Sequence, residues 1–297
     1  MALGLSISST SNFTSGQKIM VRNAQIAIEP SAPDSNLISN IPMPKGHKQQ
    51  DVLTYARLST AIQLTEGVDL SQIEQLVSNI LSITPVEHGI IATLSKRLMD
   101  RQGDTNIQAT TGTQLGESVG RRQSLDVIAL YDGFSKSVVG TSNAIDIQHF
   151  RGSVAYLMTD NDSAYGPAPM PLRAAFHIEQ ISDIILDISD AGTQAGSRPA
   201  GFGVDLLQRW WRGNDRLYGV QVFHSGNIAR DSNNDSKGGL FNEGALVIVP
   251  ATGTDDATEE KDNSHRIVEF GVFQVWGEGE RADPWGIEFY SDTTTTV

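Results

Sequence analysis

The pattern of apolar and polar positions predicts extended structure in the first third of the chain. Residues 52–64 are rich in β-branched and aromatic residues and end at the turn Glu66-Gly67. A second apolar segment covers residues 70–83. Together the two segments predict an extended hairpin with two limbs, and a proline then opens a further predicted strand at 86–94.

Two later segments have helical periodicity. In residues 115–134, apolar side chains recur near every third or fourth position, which predicts a helix ~30 Å long. Gly116 and Gly120 weaken its first turns. Residues 149–158 predict a shorter amphipathic helix.

The second half of the chain predicts four further strands, at 172–178, 217–223, 245–250 and 267–276. The last two are apolar on successive residues, which is typical of strands buried on both faces. Turn-forming or charged composition predicts surface loops at 190–203, 227–239 and 255–263. The fold class predicted is therefore mixed α+β.

The N-terminal segment has a different composition. Residues 1–50 are rich in Ser, Asn, Pro and Gln and contain several turn-forming stretches. They carry too little apolar surface to fold alone, so something else has to hold them in place. A neighbouring subunit is one candidate.

Composition and charge narrow the possible functions. Hydrophobic residues make up 39% of the 297, which is enough for a packed core. The formal net charge of −13 repels phosphate at long range, so any contact with DNA has to come from a local basic patch. The absence of cysteine excludes disulfides and thiolate chemistry. No secretory leader and no run of roughly 18 apolar residues is present, so we expect an intracellular product.

No catalytic or metal-binding constellation is complete. The loop 231–235 places oxygen ligands at alternate positions, as a calcium loop does, but Ser236 and Asn242 occupy the glycine and glutamate positions. A solvated turn is therefore predicted there, and also at 160–162. The six histidines lack metal-site spacing, His224-Ser225 lacks a nucleophile elbow, and no phosphate-binding glycine loop occurs. We predict no enzyme activity, no cofactor and no metal site.

The four tryptophans are candidates for packing in the core or at an interface. The densest aromatic and basic cluster consists of Arg209, Trp210, Trp211, Arg212 and Arg216. Such a cluster could stack on bases, but the same composition is enriched at protein interfaces, and the acidic total charge favours an interface or core anchor. Trp276 and Trp285 lie beside the last predicted strands and are predicted core residues.

Several strings are similar to segments of the major capsid proteins of tailed bacteriophages. They are VLTYARL at 52–58, ITPVEHG at 83–89, LSKRL at 94–98, RRQSLD at 121–126 and the predicted helix end LYDGF at 130–134. The order of arm, hairpin, strand, long helix, compact region and returning buried strands also resembles the Hong Kong 97-type capsid fold, over roughly residues 50–290.

The resemblance implies a division of the chain into five parts. Residues 1–48 would form the N-terminal arm, 49–84 the extended β-hairpin loop, 85–140 the peripheral domain with its long spine helix, 141–235 the axial domain, and 236–297 the return through the peripheral domain with a C-terminal strand. Some family members cross-link a lysine to an asparagine, but Lys45 and Lys48 near the loop are ordinary lysines, and no cross-link is predicted.

The resemblance also implies a structural role in an icosahedral shell around the genome of a double-stranded DNA phage. The implied partners are further copies in hexamers and pentamers, a separate scaffolding protein, a portal, possible cement proteins and packaged DNA bound without sequence specificity, with no membrane. The implied location is the virion capsid, assembled in the bacterial cytoplasm. An encapsulin compartment and a tail or surface receptor-binding protein are the alternatives.

The arm and the hairpin are predicted to act between subunits. Their apolar residues have too few apolar neighbours in the sequence to be buried locally. The candidate contact residues are Tyr55, Leu58, Ile62, Leu64 and Leu70.

Overall fold

The computed structural model describes residues 33–64, 66, 73–98, 106–160, 162, 164–190, 216–251 and 256–293. Within these residues the chain forms two five-stranded sheets, a two-stranded hairpin and three helices of twelve or more residues. The mixed α+β class predicted from the sequence is confirmed.

The first sheet is organised around one long strand. Its members are β1 (Ser39–Asn40), β4 (Val86–Ser95), β9 (Leu246–Pro250), β10 (Asp256–Asp262) and β11 (Ile267–Glu280). β11 pairs antiparallel with β4 along one side, and with β10 and then β9 along the other. β1 adds to the far edge of β9 in parallel.

The long helix α1 (Asn106–Ala129) packs on β4 and β11 of this sheet. Its buried face carries Leu115, Val119 and Val127, which meet Trp276 of β11 in the first hydrophobic core. Nε1 of Trp276 donates to Oδ2 of Asp126 at 3.2 Å, so this fully buried ring has a partner for its one polar atom. The helix begins at Asn106, nine residues before position 115, where the sequence pattern placed its start. The pattern missed the first turns because they are only partly buried and carry few apolar residues.

The second sheet has the strand order β5-β12-β8-β6-β7. These strands are β5 (Ser137–Val139), β6 (Leu172–Phe176), β7 (Gln221–His224), β8 (Asp235–Asn242) and β12 (Gly286–Asp292). Helices α2 (Ile147–Met158) and α3 (Ile178–Asp190) contribute Phe150 and Ile184 to its core. Asp146 caps α2 by accepting from the N–H of His149 at 2.6 Å.

Trp285 joins the two cores. It lies in the short turn between β11 and β12, and its partly buried ring packs against both hydrophobic clusters. Among the residues described, none of the helices has the length and apolar character needed to cross a lipid bilayer.

The loop predictions at 227–239 and 255–263 are wrong in part. Residues 235–239 belong to the buried strand β8, whose glycines allow close packing, and a Cβ on Gly239 would contact the ring of Tyr131. Residues 256–262 form β10, a charged strand at the edge of its sheet, where polar side chains reach water. The predicted loop at 190–203 lies outside the described residues except for its first position.

The root of the arm belongs to the subunit's own core. Leu37 and Ile38 are buried in the first core, and Met43 is buried with β9 residues in a third, smaller cluster. The sequence left a neighbouring subunit as one candidate for holding residues 1–50 in place, whereas Leu37, Ile38 and Met43 are held by the subunit's own core. Residues 1–32 lie outside the described part of the chain.

Candidate functional site: an exposed hairpin

The candidate site is the hairpin formed by β2 (Gln50–Tyr55) and β3 (Ser78–Ile83). The strands pair antiparallel from Gln50 opposite Ile83 to Tyr55 opposite Ser78. One face of this root is buried, because Val52 and Ile83 pack on Val247 and Val249 of β9. The hairpin is therefore fixed to the subunit at its base.

The hairpin exposes most of its large apolar side chains, both on the outer face of β2 and β3 and in the residues beyond these strands. The exposed fractions of the predicted contact residues are 56% for Tyr55, 51% for Leu58, 49% for Ile62 and 70% for Leu64. Leu70, the fifth predicted contact residue, lies outside the described residues. Further exposed members are Leu53, Ile73, Leu76, Val77 and Ile80. A run of apolar side chains of this extent marks an interaction surface.

Two further apolar side chains are exposed on β4, one on each face of the sheet. Val86 is 59% exposed and Ile91 is 56% exposed, although both belong to a strand of the first sheet. Within the described residues β11 alone pairs with β4, so the other edge of β4 is open to pairing. The sequence pattern gave this strand correctly but did not show which of its residues would remain uncovered.

The hairpin root is also held by a side chain from the end of β11. Nε of Arg281 donates to Oγ1 of Thr54 at 3.0 Å, and Nη2 donates to the carbonyl oxygen of Leu53 at 3.2 Å. Nothing in the sequence near Arg281 indicates this contact, because the partners are more than 220 residues apart.

The polar motifs considered as possible catalytic or calcium sites make local structural contacts, as far as they lie within the described residues. Oγ of Ser225 donates to Oδ2 of Asp34 at 2.7 Å. Oδ1 of Asp231 accepts from the N–H groups of Asn233 and Asp235, at 2.8 and 2.9 Å, as in a solvated Asx turn. No three His, Asp or Glu side chains within the described residues are arranged to hold a metal ion.

The cluster around Trp210 and Trp211 lies outside the described residues, whereas the core prediction is confirmed for Trp276.

A buried carboxyl group connects the arm root to both sheets. Asp34 is almost fully buried and accepts hydrogen bonds from the hydroxyls of Ser124 on α1 and Ser225 after β7. Burial raises the pKa of Asp34, and the two hydroxyls oppose that shift. This residue is structural, since the described contacts satisfy it from within the subunit.

Comparison with known proteins identifies the fold. No protein-family model matches the chain, and no curated protein matches it. Among solved structures, the capsid of Ralstonia phage GP4 superposes with a TM-score of 0.66 at 12% identity, over 88% of each chain. The head structure of Helicobacter pylori bacteriophage KHP40 gives a TM-score of 0.64 at 11% identity, over 99% of this chain and 95% of that one.

The same fold occurs in a cellular shell. The SrpI encapsulin complex from Synechococcus elongatus superposes with a TM-score of 0.60 at 12% identity, over 99% of this chain and 94% of that one. The agreement runs over nearly the whole length in each case. The chain therefore has the Hong Kong 97-type capsid fold that the sequence resemblance implied.

Proposed function

We propose that the chain is the major capsid protein of a tailed double-stranded DNA bacteriophage, building the icosahedral head shell. The observation that carries the proposal is the exposed apolar hairpin on a subunit with the capsid fold. A single copy leaves these side chains in water, and a second copy can cover them.

Burial of the hairpin supplies energy for assembly. Each large apolar side chain that leaves water contributes ~1.5 to 3 kcal/mol, so Leu58 and Ile62 together outweigh the cost of ordering a short stretch of chain. Ile91, an exposed side chain on the face of β4 opposite to α1, is apolar surface of a neighbouring copy that suits this contact. A contact between two different surfaces repeats head to tail and forms rings, here hexamers and pentamers.

The rest of the proposal follows from the capsid fold. The proposed division of the chain is the one given above: the arm at 1–48, the extended loop at 49–84, the peripheral domain at 85–140, the axial domain at 141–235 and the return at 236–297. A separate scaffolding protein, a portal and possible cement proteins would complete the head, which would be assembled in the bacterial cytoplasm. Packaged DNA would meet the inner face without sequence specificity, and the chain would carry no enzymatic activity.

An encapsulin-type compartment is the second candidate, favoured by the full-length match to a cellular shell protein. Particles purified from cells separate the two functions. Packaged DNA and a portal at one vertex support the phage head, whereas a co-purified cargo enzyme inside a shell without a portal supports the compartment.

The hairpin contact can be tested with a double substitution. Leu58→Asp with Ile62→Asp should lower the yield of closed shells about tenfold or more, because buried charge replaces apolar contact, while the subunit keeps its fold. Particle yield is measured by negative-stain electron microscopy and light scattering, and the fold by far-UV circular dichroism.

A matched control adds the same charge at polar positions of the same stretch. Thr60→Asp with Gln63→Asp changes two exposed side chains and should leave the yield nearly unchanged. Normal assembly of the Leu58 and Ile62 variant contradicts the hairpin contact, whereas only monomers from the parent chain at every concentration tested contradict the proposed function.

A further inference from the structure

The root of the hairpin contacts a turn that follows α2, here called the latch turn, which comprises Asp160, Asp162 and residues 164–166. Nη1 of Arg57 lies 2.8 Å from Oδ2 of Asp160. The backbone N–H of Arg57 donates to the carbonyl oxygen of Ala164 at 2.7 Å. Arg57 lies just beyond β2, where the exposed part of the hairpin begins.

The second limb contacts the same turn. Nδ2 of Asn79, on β3, donates to the hydroxyl oxygen of Tyr165 at 3.2 Å. The latch turn therefore holds both limbs of the hairpin at about the same height above its base.

The latch turn is preformed and leaves room for Arg57. Oδ1 of Asp162 accepts from the N–H groups of Ala164 and Tyr165 at 2.7 and 2.9 Å, which fixes the turn internally. Gly166 has a φ of +69°, and a Cβ at this position would lie 2.6 Å from Nη1 of Arg57. The guanidinium therefore occupies the space that a side chain at 166 would fill.

The turn is anchored at the junction of the two cores. The ring of Tyr165 meets Trp285 edge to face, with centroids 5.9 Å apart, and Nε1 of Trp285 donates to the carbonyl oxygen of Gly166 at 3.3 Å. Since Trp285 packs against both cores, the turn is tied to the interior of the subunit.

Beside the two hydrogen bonds, from Arg57 N–H to Ala164 and from Asn79 to Tyr165, the contact between the hairpin and the latch turn depends on an ion pair that salt can break. The side chains of Arg57 and Asp160 are 44% and 51% exposed, and an ion pair exposed to this extent is a weak contact that salt screens. Below it, the buried face of Val52 and Ile83 keeps the base of the hairpin attached.

We propose that the latch turn sets the direction of the hairpin in the unassembled subunit and releases it when the Arg57–Asp160 pair is broken. The latch is a property of the single subunit. Its consequence for assembly, that the released hairpin reaches the neighbouring copy, rests on the proposed function.

The chain has no cysteine, so two introduced cysteines are the only labelling sites. Spin labels at Thr60→Cys on the hairpin and Arg151→Cys on α2 report the direction of the hairpin by double electron–electron resonance on unassembled subunits. Both positions are exposed. At about 0.05 M salt we expect one narrow distance distribution.

Adding Asp160→Asn should broaden this distribution and shift its mean by several ångströms. Salt at about 1 M should do the same to the parent and have no further effect on the Asp160→Asn variant. Glu87→Gln, which removes one charge from an exposed position on β4, should leave the distribution unchanged.

An unchanged distribution in the Asp160→Asn variant, or a broad one in the parent at low salt, overturns the latch. Light scattering on the unlabelled parent separates this result from the proposed function. Subunits that assemble but show no latch reject only the latch, and subunits that show the latch but never assemble reject only the capsid function.

Discussion

Glu280 and Asp283 place two carboxyl groups side by side at the end of β11. Burial, together with a hydrogen bond to Asp283 and repulsion from its charge, raises the pKa of Glu280 to about 7. Asp283 is itself held in place, because its Oδ1 accepts the N–H of Ser135 at 2.7 Å. A proton on Glu280 therefore stabilises the folded subunit.

The sign of the resulting pH dependence follows from the raised pKa. The contribution is complete below the ordinary glutamate pKa of 4.5 and is lost as the pH rises through about 7. Glu280→Gln keeps a neutral side chain, so at about pH 8 it should raise the free energy of unfolding by on the order of 1 to 2 kcal/mol after allowance for solvent screening.

Urea unfolding at about pH 4.5 and pH 8 measures this effect. At the lower pH the Glu280→Gln variant and the parent should unfold together. Glu87→Gln, at an exposed position, should match the parent at both values. A stability difference for Glu280→Gln that is the same at both pH values would show that Glu280 carries no raised pKa.

At the scale of elements, the arm root, residues 33–40, packs against elements of both sheets. The short turn Pro33–Leu37 carries Asp34, and Arg173 of β6 donates to the carbonyl oxygen of Leu37 at 2.8 Å. Nη2 of Arg173 also lies 2.9 Å from Oε2 of Glu243. The N–H of Ser39 donates to the carbonyl oxygen of Glu243 at 2.9 Å, so residues 33–39 contact α1, β6 and the turn after β8.

Two deletions distinguish the arm root, residues 33–40, from the rest of the arm. Removing residues 1–32 should leave the subunit folded, whereas removing residues 1–40 takes away the buried Leu37 and Ile38, β1 and the Asp34 contacts, and should cost about 4 kcal/mol or more. Thermal unfolding followed by circular dichroism measures the difference. Equal stability of the two truncated chains would place residues 33–40 outside the core.

The sequence predicted elements well where apolar residues dominate. The strands at 86–94, 245–250 and 267–276 and the helix at 149–158 are confirmed within a few residues. Helix α3 was not predicted, although its apolar residues recur at helical spacing. Strand β12 was implied only as a C-terminal strand without bounds, because it alternates polar and apolar residues within a short stretch. β8 was taken as a loop because its glycines lower its strand propensity.

The candidate site was predictable in part. Exposure of Tyr55, Leu58, Ile62 and Leu64 agrees with the lack of apolar neighbours in the sequence. The Arg57–Asp160 contact was not predictable, because its partners lie 103 residues apart and each is an ordinary surface charge. Pairing at such separations is decided by tertiary packing, which periodicity does not report.

At the scale of the whole molecule, we expect the contact of Trp285 with both cores, beside that of Phe241 of β8 with the first core, to couple the two sheets into one cooperative unit. Trp285 packs against both hydrophobic clusters, and its indole N–H is satisfied by Gly166. Coupling of this kind gives a single unfolding transition that different probes report together.

Trp285→Ala should lower the free energy of unfolding by about 2 to 4 kcal/mol and separate the transitions of the two sheets. Urea unfolding followed by hydrogen exchange in β4 and in β6 reports each sheet. Phe223→Ala, which removes an exposed ring on β7, should cost less and keep the transitions together. Coincident transitions in the Trp285→Ala variant would show that the sheets are coupled elsewhere.

The central position of β11 also bears on synthesis of the chain. β11 pairs with β4, which leaves the ribosome about 180 residues earlier, and β12 pairs with β5 and β8, so both sheets close only when the last residues emerge. A translation product that stops before residue 267 lacks both strands and has no complete core. We therefore expect interrupted synthesis to yield chains that are open to proteolysis.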